Sequence, residues 1–365
     1  MQARTTQDGS TSRTWYKPTR AARTGVKVLL WGAIVCAATA LIVMTLEDTP
    51  LDAAGRRELA VAYLAFMGRT FTMYAALAMV FFAAIALLMR MRIAAMLCGV
   101  LALGFAMPVL SLLAFRKPDA RPADQSRELR IVSMNVLLTN PDAQAAIAFI
   151  RDKNPDVILV QEHTPAWHKA LADEFATDYP FIVNEMRGNA FGQAVFSKRP
   201  FVEEPVKYLS ARTQATSDRV TGVIGLHDPQ IRVVIDLAGT PVVIQNVHVV
   251  PPADVSLFRE QRAQVAELAA IAKSEDRPLV MAGDFNATAN SRLVTKLLDD
   301  GMRDANAVAG SGLSHTWPDI GPLRFLPGIR IDHVLTSSNI RVHEHLVGPS
   351  IGSDHRPLFV CISMQ

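Results

Sequence analysis

Polar side chains follow several short apolar runs in the second half of the chain, where their types would suit chemistry. They are Asn135, Glu162, His248, Asp284, Asn286, Asp332, Ser353, Asp354 and His355. Carboxylate and amide oxygens can hold a hard divalent cation, and an imidazole beside a carboxylate can bind and release protons. Any one of these residues is more often an ordinary strand end. These nine residues lie at six strand ends of one domain, and that number argues against a purely structural explanation.

Other chemistries lack their motifs in this sequence. It has no G-x-x-x-x-G-K-[ST] loop for a P-loop nucleotidase. Three cysteines are too few for a disulfide-built scaffold or a four-cysteine zinc site. His163 and His168 follow a strand end and do not form an H-E-x-x-H helix. The pattern therefore favours catalysis by carboxylates, amides and imidazoles.

The elements that position these residues follow from the apolar periodicity after residue 128. Strands are predicted at 129–136, 157–161, 193–197, 221–226, 231–237, 241–249, 279–282, 331–336 and 357–362. Helices are predicted near 142–153, 166–175, 256–274 and 291–300. This alternation predicts one α/β domain built from two sheets, covering residues 129–365. Residues 116–128 are polar, contain two prolines and are typical of a linker.

The composition indicates that part of the chain lies outside water. Of its 365 residues, 50% are hydrophobic and only 19% are charged, against about 25% in an ordinary soluble domain. Uncharged stretches of 19, 20 and 23 residues lie at 28–46, 70–89 and 93–115. About 20 apolar residues suffice for a helix to cross a bilayer. We therefore predict three transmembrane helices within residues 28–115.

Charge in the flanking segments predicts the orientation of these helices. The tail 1–27 carries six basic side chains and one acid, and Arg90 and Arg92 occupy the turn between the second and third stretches. Basic flanks stay in the cytoplasm, so this tail is predicted to be cytoplasmic. Three crossings then place residues 129–365 outside the cytoplasm, on the periplasmic face of a multi-pass inner-membrane protein. Residues 116–365 carry a net charge of −3, which disfavours a duplex-DNA binder held by phosphate contacts.

The GDFN, RIDH and SDHRPL segments, with GQAVFSKRP at 192–200, resemble the endonuclease/exonuclease/phosphatase superfamily of DNase I-like proteins. The resemblance covers roughly residues 130–362 and describes a membrane-anchored, bacterial-type member. It implies a two-sheet α/β/β/α sandwich, here preceded by the three transmembrane helices. It also implies a metal-dependent phosphoric ester hydrolase: a nuclease, phosphodiesterase or phosphatase.

The resemblance implies a role for each singled-out residue. Glu162 would be the principal ligand of Mg²⁺, with Mn²⁺ as an alternative ion, Asn135 touching metal or phosphate, and Asp354 a further ligand. Asp284 would hold and activate the attacking water. The remaining site residues would contact the phosphate or support its donors: Asn286, His248, His355 oriented by Asp332, and Trp317 on the substrate side.

The sequence leaves the substrate class open. Val136 and Leu137 follow Asn135, where abasic-site endonucleases usually have an aspartate two residues beyond the asparagine, and nothing marks an inositol pocket. The expected substrate is a phosphodiester of nucleic acid or of a lipid head group, and no protein partner beyond the bilayer is predicted. A phosphomonoesterase on the same fold and a catalytically silent membrane scaffold are the alternatives.

Overall fold

The computed structural model describes residues 19–46, 55–110, 117–207 and 228–365. The strand predicted at 221–226 and most of the basic tail lie outside these residues. Four helices precede the sheets: α1 (Arg20–Val43), α2 (Arg56–Thr70), α3 (Thr72–Leu88) and α4 (Arg92–Leu110). A short 3₁₀ turn, Met44–Leu46, follows α1.

Eleven strands form two mixed sheets in the described part of the chain. They are β1 (Glu128–Asn135), β2 (Val157–Gln161), β3 (Phe181–Glu185), β4 (Gln193–Ser197), β5 (Arg232–Leu237), β6 (Thr240–His248), β7 (Leu279–Asp284), β8 (Arg303–Asp304), β9 (Asp332–Thr336), β10 (Ile340–Val347) and β11 (Leu358–Met364). The first sheet has the order β10-β11-β1-β2-β4-β3, and the second has the order β5-β6-β7-β9-β8.

Five helices accompany the strands: α5 (Gln144–Lys153), α6 (Pro165–Phe175), α7 (Val255–Ser274), α8 (Arg292–Asp299) and α9 (Ala305–Ala309). Alternating side chains of β1 show how the layers stack, because successive strand residues point to opposite faces. Leu129 and Ile131 pack between the two sheets, whereas Val132 and Met134 pack against α5 and α6. Helices α7 and α8 cover the outer face of the second sheet. The predicted two-sheet α/β sandwich is confirmed.

Three strands and one close contact were not predicted from the sequence, and the shortest of the three, β8, has only two residues. Strand β10 contains IRVHEHLV, whose charged and imidazole side chains interrupt the apolar pattern, and β3 has only five residues. Residues 117–124, within the predicted linker, run against the edge strands of both sheets. The Asp119 backbone amide donates to the carbonyl of Val342 in β10 at 2.9 Å, and the Asp119 carboxylate lies 3.2 Å from the guanidinium of Arg303 in β8. The chain therefore joins the domain before its first strand begins.

The three predicted membrane spans correspond to two long apolar helices and one bent pair. The segment Arg20–Leu46 and α4 are each long and apolar enough to cross a bilayer. The predicted span 70–89 is mostly α3, which has 17 residues and a length of about 26 Å, short of the ~30 Å hydrocarbon core. Helices α2 and α3 meet at Phe71 with a 70° bend. The prediction of three helices is therefore corrected to two candidates, with a third only if the bent pair counts as one span.

The bend arises from contacts that an uncharged run of sequence does not reveal. The Arg69 guanidinium donates to the carbonyl of Met44 at 2.9 Å and to that of Asn290 at 3.3 Å. Phe71 leaves the helical conformation, with φ −107° and ψ 24°. The end of α2 is thereby attached to the turn that follows α1 and to the α/β domain.

Helix α2 packs on the α/β domain along one face. Leu59, Ala62 and Phe66 join a buried cluster with Phe258 of α7 and Ala287. The Phe66 and Phe258 rings lie 5.1 Å apart between centroids. This interface fixes the domain against the end of the helical region that also contains Met44.

A buried ion pair stabilises the second sheet beside the site. Arg330 donates to both carboxylate oxygens of Asp304, at 3.0 and 2.6 Å, and both side chains are less than 5% exposed. Burial opposes ionisation of Asp304, yet the adjacent Arg330 outweighs it and holds the pKa of Asp304 well below its usual range. Asp304 is therefore ionised in the folded protein throughout the neutral range.

Replacing Asp304 by asparagine is expected to lower the free energy of unfolding by about 3–5 kcal/mol, because it leaves the Arg330 charge buried without its partner. Because the pKa of Asp304 in the folded protein is below the ordinary aspartate value of about 4, its charge stabilises the fold at any pH above about 4. The difference in stability between variant and wild type should therefore shrink only at lower pH. Denaturant unfolding of the detergent-solubilised chain measures this loss in the free energy of unfolding. Asp173→Asn, which breaks an exposed pair with Lys169, is the control. Equal effects of the two changes would contradict the prediction.

Candidate active site

The site forms where strand ends from both sheets meet. Asn135 ends β1 and Glu162 follows β2, and these strands run parallel with Asn135 opposite Gln161. In the second sheet His248 pairs with Asp284, and Asp284 pairs with Asp332 at the start of the antiparallel β9. The carboxyl ends of parallel strands share one edge of a sheet, which is a common location for ligands in α/β folds.

A buried amide pair joins the two sheets one layer beneath the site. Gln161 Nε2 donates to Asn246 Oδ1 at 2.6 Å, and Asn246 Nδ2 donates to the carbonyls of Val160 and Ala194 at 3.1 Å each. Both side chains are fully buried, where unsatisfied amides are costly. The pair fixes the position of β2 relative to β6, and therefore the position of Glu162 relative to His248. The sequence signal was an amide inside each apolar run.

Asp284 lies at the centre of the hydrogen-bond network and is almost completely buried. Its Oδ2 accepts from the side-chain amides of Asn135 at 3.3 Å and Asn286 at 3.2 Å, and its Oδ1 accepts from the Asn286 backbone at 2.8 Å. Burial raises the pKa of Asp284 to about 7, while nearby His355 opposes the rise. Such a carboxyl can bind and release a proton near neutral pH.

His355 faces two carboxylates. Its Nδ1 lies 2.9 Å from Asp332 Oδ2, and its Nε2 lies 3.7 Å from Asp284 Oδ2. Burial alone would lower the pKa of His355, but the carboxylates of Asp332 and Asp284 outweigh it and raise the pKa to about 10. The ring is therefore an imidazolium whose Nε2–H points into the site.

His248 approaches the same carboxylate from the neighbouring strand. Its Nε2 lies 3.8 Å from Asp284 Oδ2, and its ring stacks on Phe191 at 5.7 Å. Burial, reinforced by the His355 charge, lowers the pKa of His248 to about 4, so this imidazole is neutral. Gln230 holds its backbone through two hydrogen bonds, at 2.6 and 3.2 Å. Gln230 was not predicted, and no motif marks it.

Glu162 and Asp354 form the acidic side of the site. Asn135 donates to Glu162 Oε1 at 3.1 Å, and the Leu138 backbone donates to Oε2 at 2.8 Å. Burial raises the pKa of Glu162, and the Asp354 charge adds to the rise. Asp354 Oδ2 accepts from Trp317 Nε1 at 3.1 Å, whereas its Oδ1 is buried without a hydrogen-bond partner in the described residues. Two hard carboxylates that are close enough to interact electrostatically, one of them with an unpartnered oxygen, fit a divalent cation.

A second group with metal-ligand chemistry overlaps the predicted catalytic residues. Ligand atoms of Asp284, Asp332 and His355 lie within 4.8 Å of one another, and all three residues are buried. His355 is a weak candidate ligand, because its Nδ1 is bonded to Asp332 and the neighbouring carboxylates favour its protonated form. The oxygen donors of Glu162 and Asp354 fit an ion better than this imidazolium does.

Backbone conformation contributes to the site. Glu162 and Asn286 adopt left-handed conformations, with φ 57° and 49°. A side chain with this backbone is strained, and such residues cluster at functional sites. Gly283, at φ +147°, has no room for a Cβ atom, which would lie 1.9 Å from the carbonyl oxygen of Val247. The close approach of β6 to β7 beneath Asp284 therefore requires glycine.

The structure brings all the singled-out residues to one place, with one unexpected contact. Asn286 Nδ2 donates to the Val249 carbonyl at 2.8 Å as well as to Asp284. Its amide is thus engaged in holding the turn. Ser353 connects two segments of the site, which the sequence did not indicate. Its hydroxyl donates to the Asn135 carbonyl at 2.8 Å and accepts from the His355 backbone amide at 3.0 Å.

Comparisons with known proteins identify the family and the fold. A family profile described as the Endonuclease/Exonuclease/phosphatase family matches residues 132–355, more than half of the chain. A UPF0294 protein of Vibrio campbellii is 24% identical over 279 residues, covering 69% of this chain and 83% of its own.

Solved structures share the fold at low identity. A functionally unknown conserved protein from Enterococcus faecalis has a TM-score of 0.53 at 16% identity, covering 65% of this chain and all of its own. TDP2 of D. rerio in complex with single-strand DNA product has a TM-score of 0.51 at 14% identity, covering 65% of this chain and 99% of its own. The profile match and the shared fold establish that the chain belongs to the endonuclease/exonuclease/phosphatase family.

Proposed function

We propose that the protein is a membrane-anchored, divalent-metal-dependent phosphoesterase that hydrolyses phosphodiester bonds by in-line attack of water. The observation that carries the proposal is one network of close contacts. It joins a buried carboxyl with a raised pKa (Asp284) to an imidazolium (His355) and, through Asn135, to Glu162, whose pKa also responds to the charge of Asp354. Hydrolysis of a phosphoester needs a base for water, donors for the phosphoryl oxygens and added positive charge.

Asp284 is the proposed base. The amides of Asn135 and Asn286 orient its carboxylate, and burial gives it an affinity for protons that an exposed aspartate lacks. His355 Nε2–H is the proposed donor to a phosphoryl oxygen, because Asp332 holds its Nδ1 and favours the charged ring. Neutral His248 supplies a second donor beside it. Trp317, whose indole N–H donates to Asp354, is proposed to line the side of the site that the substrate occupies.

Glu162 and Asp354 are the proposed ligands of the cation, with Asn135 beside them. When bound there, Mg²⁺ or Mn²⁺ would supply positive charge to the phosphoryl oxygens and lower the pKa of bound water. The oxygen-only donors favour these ions over softer ones. Asn135, whose amide donates to both Glu162 and Asp284, keeps the ligand pair and the base in a fixed relation.

Membrane anchoring is supported by what the helical region exposes and how it is arranged. Large apolar side chains point outward along its length, among them Leu29, Val35, Phe81, Ile93 and Val100, each more than half exposed. The start of α1 packs with the end of α3 and the start of α4. Arg20, Arg23, Lys27, Arg90 and Arg92 therefore belong to the end of the bundle away from the α/β domain.

This arrangement supports a cytoplasmic N-terminus and an α/β domain on the periplasmic side, because basic flanks stay inside. Protease added to bacterial spheroplasts that express the chain should then degrade the α/β domain. Protection of the domain in sealed spheroplasts, with digestion only after lysis, would refute this orientation.

A panel of substrates tests the catalytic proposal. The full-length chain in detergent, with Mg²⁺, Mn²⁺ or EDTA, would be given bis-p-nitrophenyl phosphate, p-nitrophenyl phosphate, plasmid DNA, RNA, sphingomyelin and phosphatidylinositol phosphates. We expect metal-dependent hydrolysis of the diester, and the lipids and nucleic acids then identify the substrate class. Preference for the monoester would indicate a phosphatase. No turnover by a folded, metal-binding chain would favour the silent scaffold.

Ser353 is a positioning residue whose removal should lower the rate without unfolding the protein. Ser353→Ala loses the two hydrogen bonds that hold the His355 turn against β1, worth together about 1–2 kcal/mol. We expect kcat for the diester to fall roughly tenfold, with KM little changed. Ser274→Ala, at the exposed end of α7, is the matched control. A Ser353→Ala enzyme with full kcat would contradict this role.

A further inference from the structure

The α/β domain carries an exposed apolar loop on the side where it meets the apolar helices. This tip loop (residues 320–327) contains Ile320, Leu323, Phe325 and Leu326, which are 45%, 46%, 80% and 49% exposed. Within 117–207 and 228–365, the other exposed large apolar side chains are Met186, Val202 and Val206. A cluster of this kind on a soluble surface usually marks an interaction site.

The tip loop begins and ends at the candidate active site. Trp317 and Ile329 pair as a short antiparallel bridge, with backbone hydrogen bonds of 3.0 and 2.7 Å. Trp317 also donates to the Asp354 carboxylate, and the Asp319 backbone donates to the Asp354 carbonyl at 2.7 Å. Whatever contacts the tip is therefore one short loop away from the proposed metal ligands.

The same loop rests on the helices. The Tyr74 hydroxyl, in the first turn of α3, donates to the carbonyl of Pro327. Thr72 and Val109, at the domain ends of α3 and α4, line a cavity of about 50 Å³ together with Gly328 and Ile329. The tip loop thus starts where the two apolar helices reach the domain.

Helix α2 provides a second, independent constraint on the position of the domain. It is bent by 70° from α3, so it lies near the bilayer plane if α3 stands along the normal. The domain packs on it through Phe258, and Asn290 donates to the Arg69 carbonyl at 3.0 Å. The domain is therefore held close to the bilayer surface, on the side that carries the tip loop.

We infer that the tip loop inserts its apolar side chains into the interfacial region of the bilayer that the helices cross. Aromatic and apolar side chains are favoured at that depth, and a basic side chain beside them can meet lipid phosphates. Arg324 is suitably placed, with its guanidinium 5.2 Å from the Phe325 ring. The inference rests on the membrane anchoring proposed above and does not depend on catalysis.

A nitroxide spin label reports whether the loop enters lipid. Phe325→Cys and, as control, Val202→Cys would each be made in a Cys36→Ser background of the full-length chain, since Cys98 and Cys361 are buried. Val202 is 49% exposed, and its backbone amide donates to the carbonyl of Val234 in β5. The labelled chains would be placed in phosphatidylcholine–phosphatidylglycerol nanodiscs, and relaxation by oxygen and by a water-soluble nickel chelate would be compared.

The label at 325 should relax more with oxygen than with the nickel chelate, as lipid-embedded labels do, and the label at 202 should show the opposite preference. Equal access of the chelate to both labels would overturn the inference. A label at 325 that neither reagent reaches would also overturn it, and would indicate a protein contact or a second copy of this chain. Loss of hydrolytic activity affects neither readout. Failure of the chain to enter nanodiscs would refute both the anchoring and this inference.

Discussion

Replacing Asp284 by asparagine is expected to lower kcat for phosphodiester hydrolysis by about 10²–10⁴-fold, the range typical of a lost general base. The change keeps the size of the side chain and removes only its capacity to take up a proton. Oδ2 of Asp284 lies within 3.3 Å of two amide donors and within 3.8 Å of two imidazoles, so the change alters the carboxylate on which these four groups converge. Steady-state kinetics with bis-p-nitrophenyl phosphate measures the loss.

The matched control is Asp299→Asn, on the exposed end of α8. It should retain wild-type kcat and the wild-type unfolding curve. An Asp284→Asn protein that is folded and still turns over within threefold of wild type would remove Asp284 from the mechanism. In that case the base would have to be sought among the remaining carboxylates of the site.

Replacing Glu162 by glutamine is expected to weaken Mn²⁺ binding by at least tenfold and to reduce activity by a similar or larger factor. The neutral amide keeps one oxygen but removes a charge from the acidic side of the site, where the ion would be held. Titration of the full-length chain with Mn²⁺, followed by the electron paramagnetic resonance of free ion, measures affinity without reference to turnover. Activity is then compared at saturating metal.

Glu174→Gln is the control, because Glu174 pairs with Arg151 on the outer helical layer. Unchanged Mn²⁺ affinity in the Glu162 variant would refute the ligand assignment. Lost affinity with the activity restored by excess metal would keep Glu162 as a ligand and show that the catalytic groups of Asp284 and His355 function without its charge.

Strand positions and candidate residues were predicted well where local pattern carries the information. The runs that end in Asn135, Glu162, His248 and Asp284 are apolar on both faces, since each strand is buried between a helical layer and the opposite sheet. Such runs are easily recognised, and a polar residue at their end stands out. Edge strand β10 escaped prediction because its exposed positions carry charge.

The helical region shows what an uncharged stretch leaves undetermined. Hydropathy found the apolar segments, but it did not reveal that the chain turns by 70° at Phe71. That turn depends on Arg69 bonding to Met44 and Asn290, residues 25 and 221 positions away. Contacts of such sequence separation have no signature in a window of 20 residues.

By itself the sequence determined the fold class, the apolar segments and the set of polar residues that meet in the site, because each is written in local periodicity or in a short motif. Only the tertiary structure decided which chemical role each of these residues can take. The raised pKa of Asp284 comes from burial between two sheets, and that of His355 from two carboxylates on the neighbouring strands β7 and β9. The unpartnered oxygen of Asp354 and the placement of the tip loop on α3 likewise exist only once distant segments pack together.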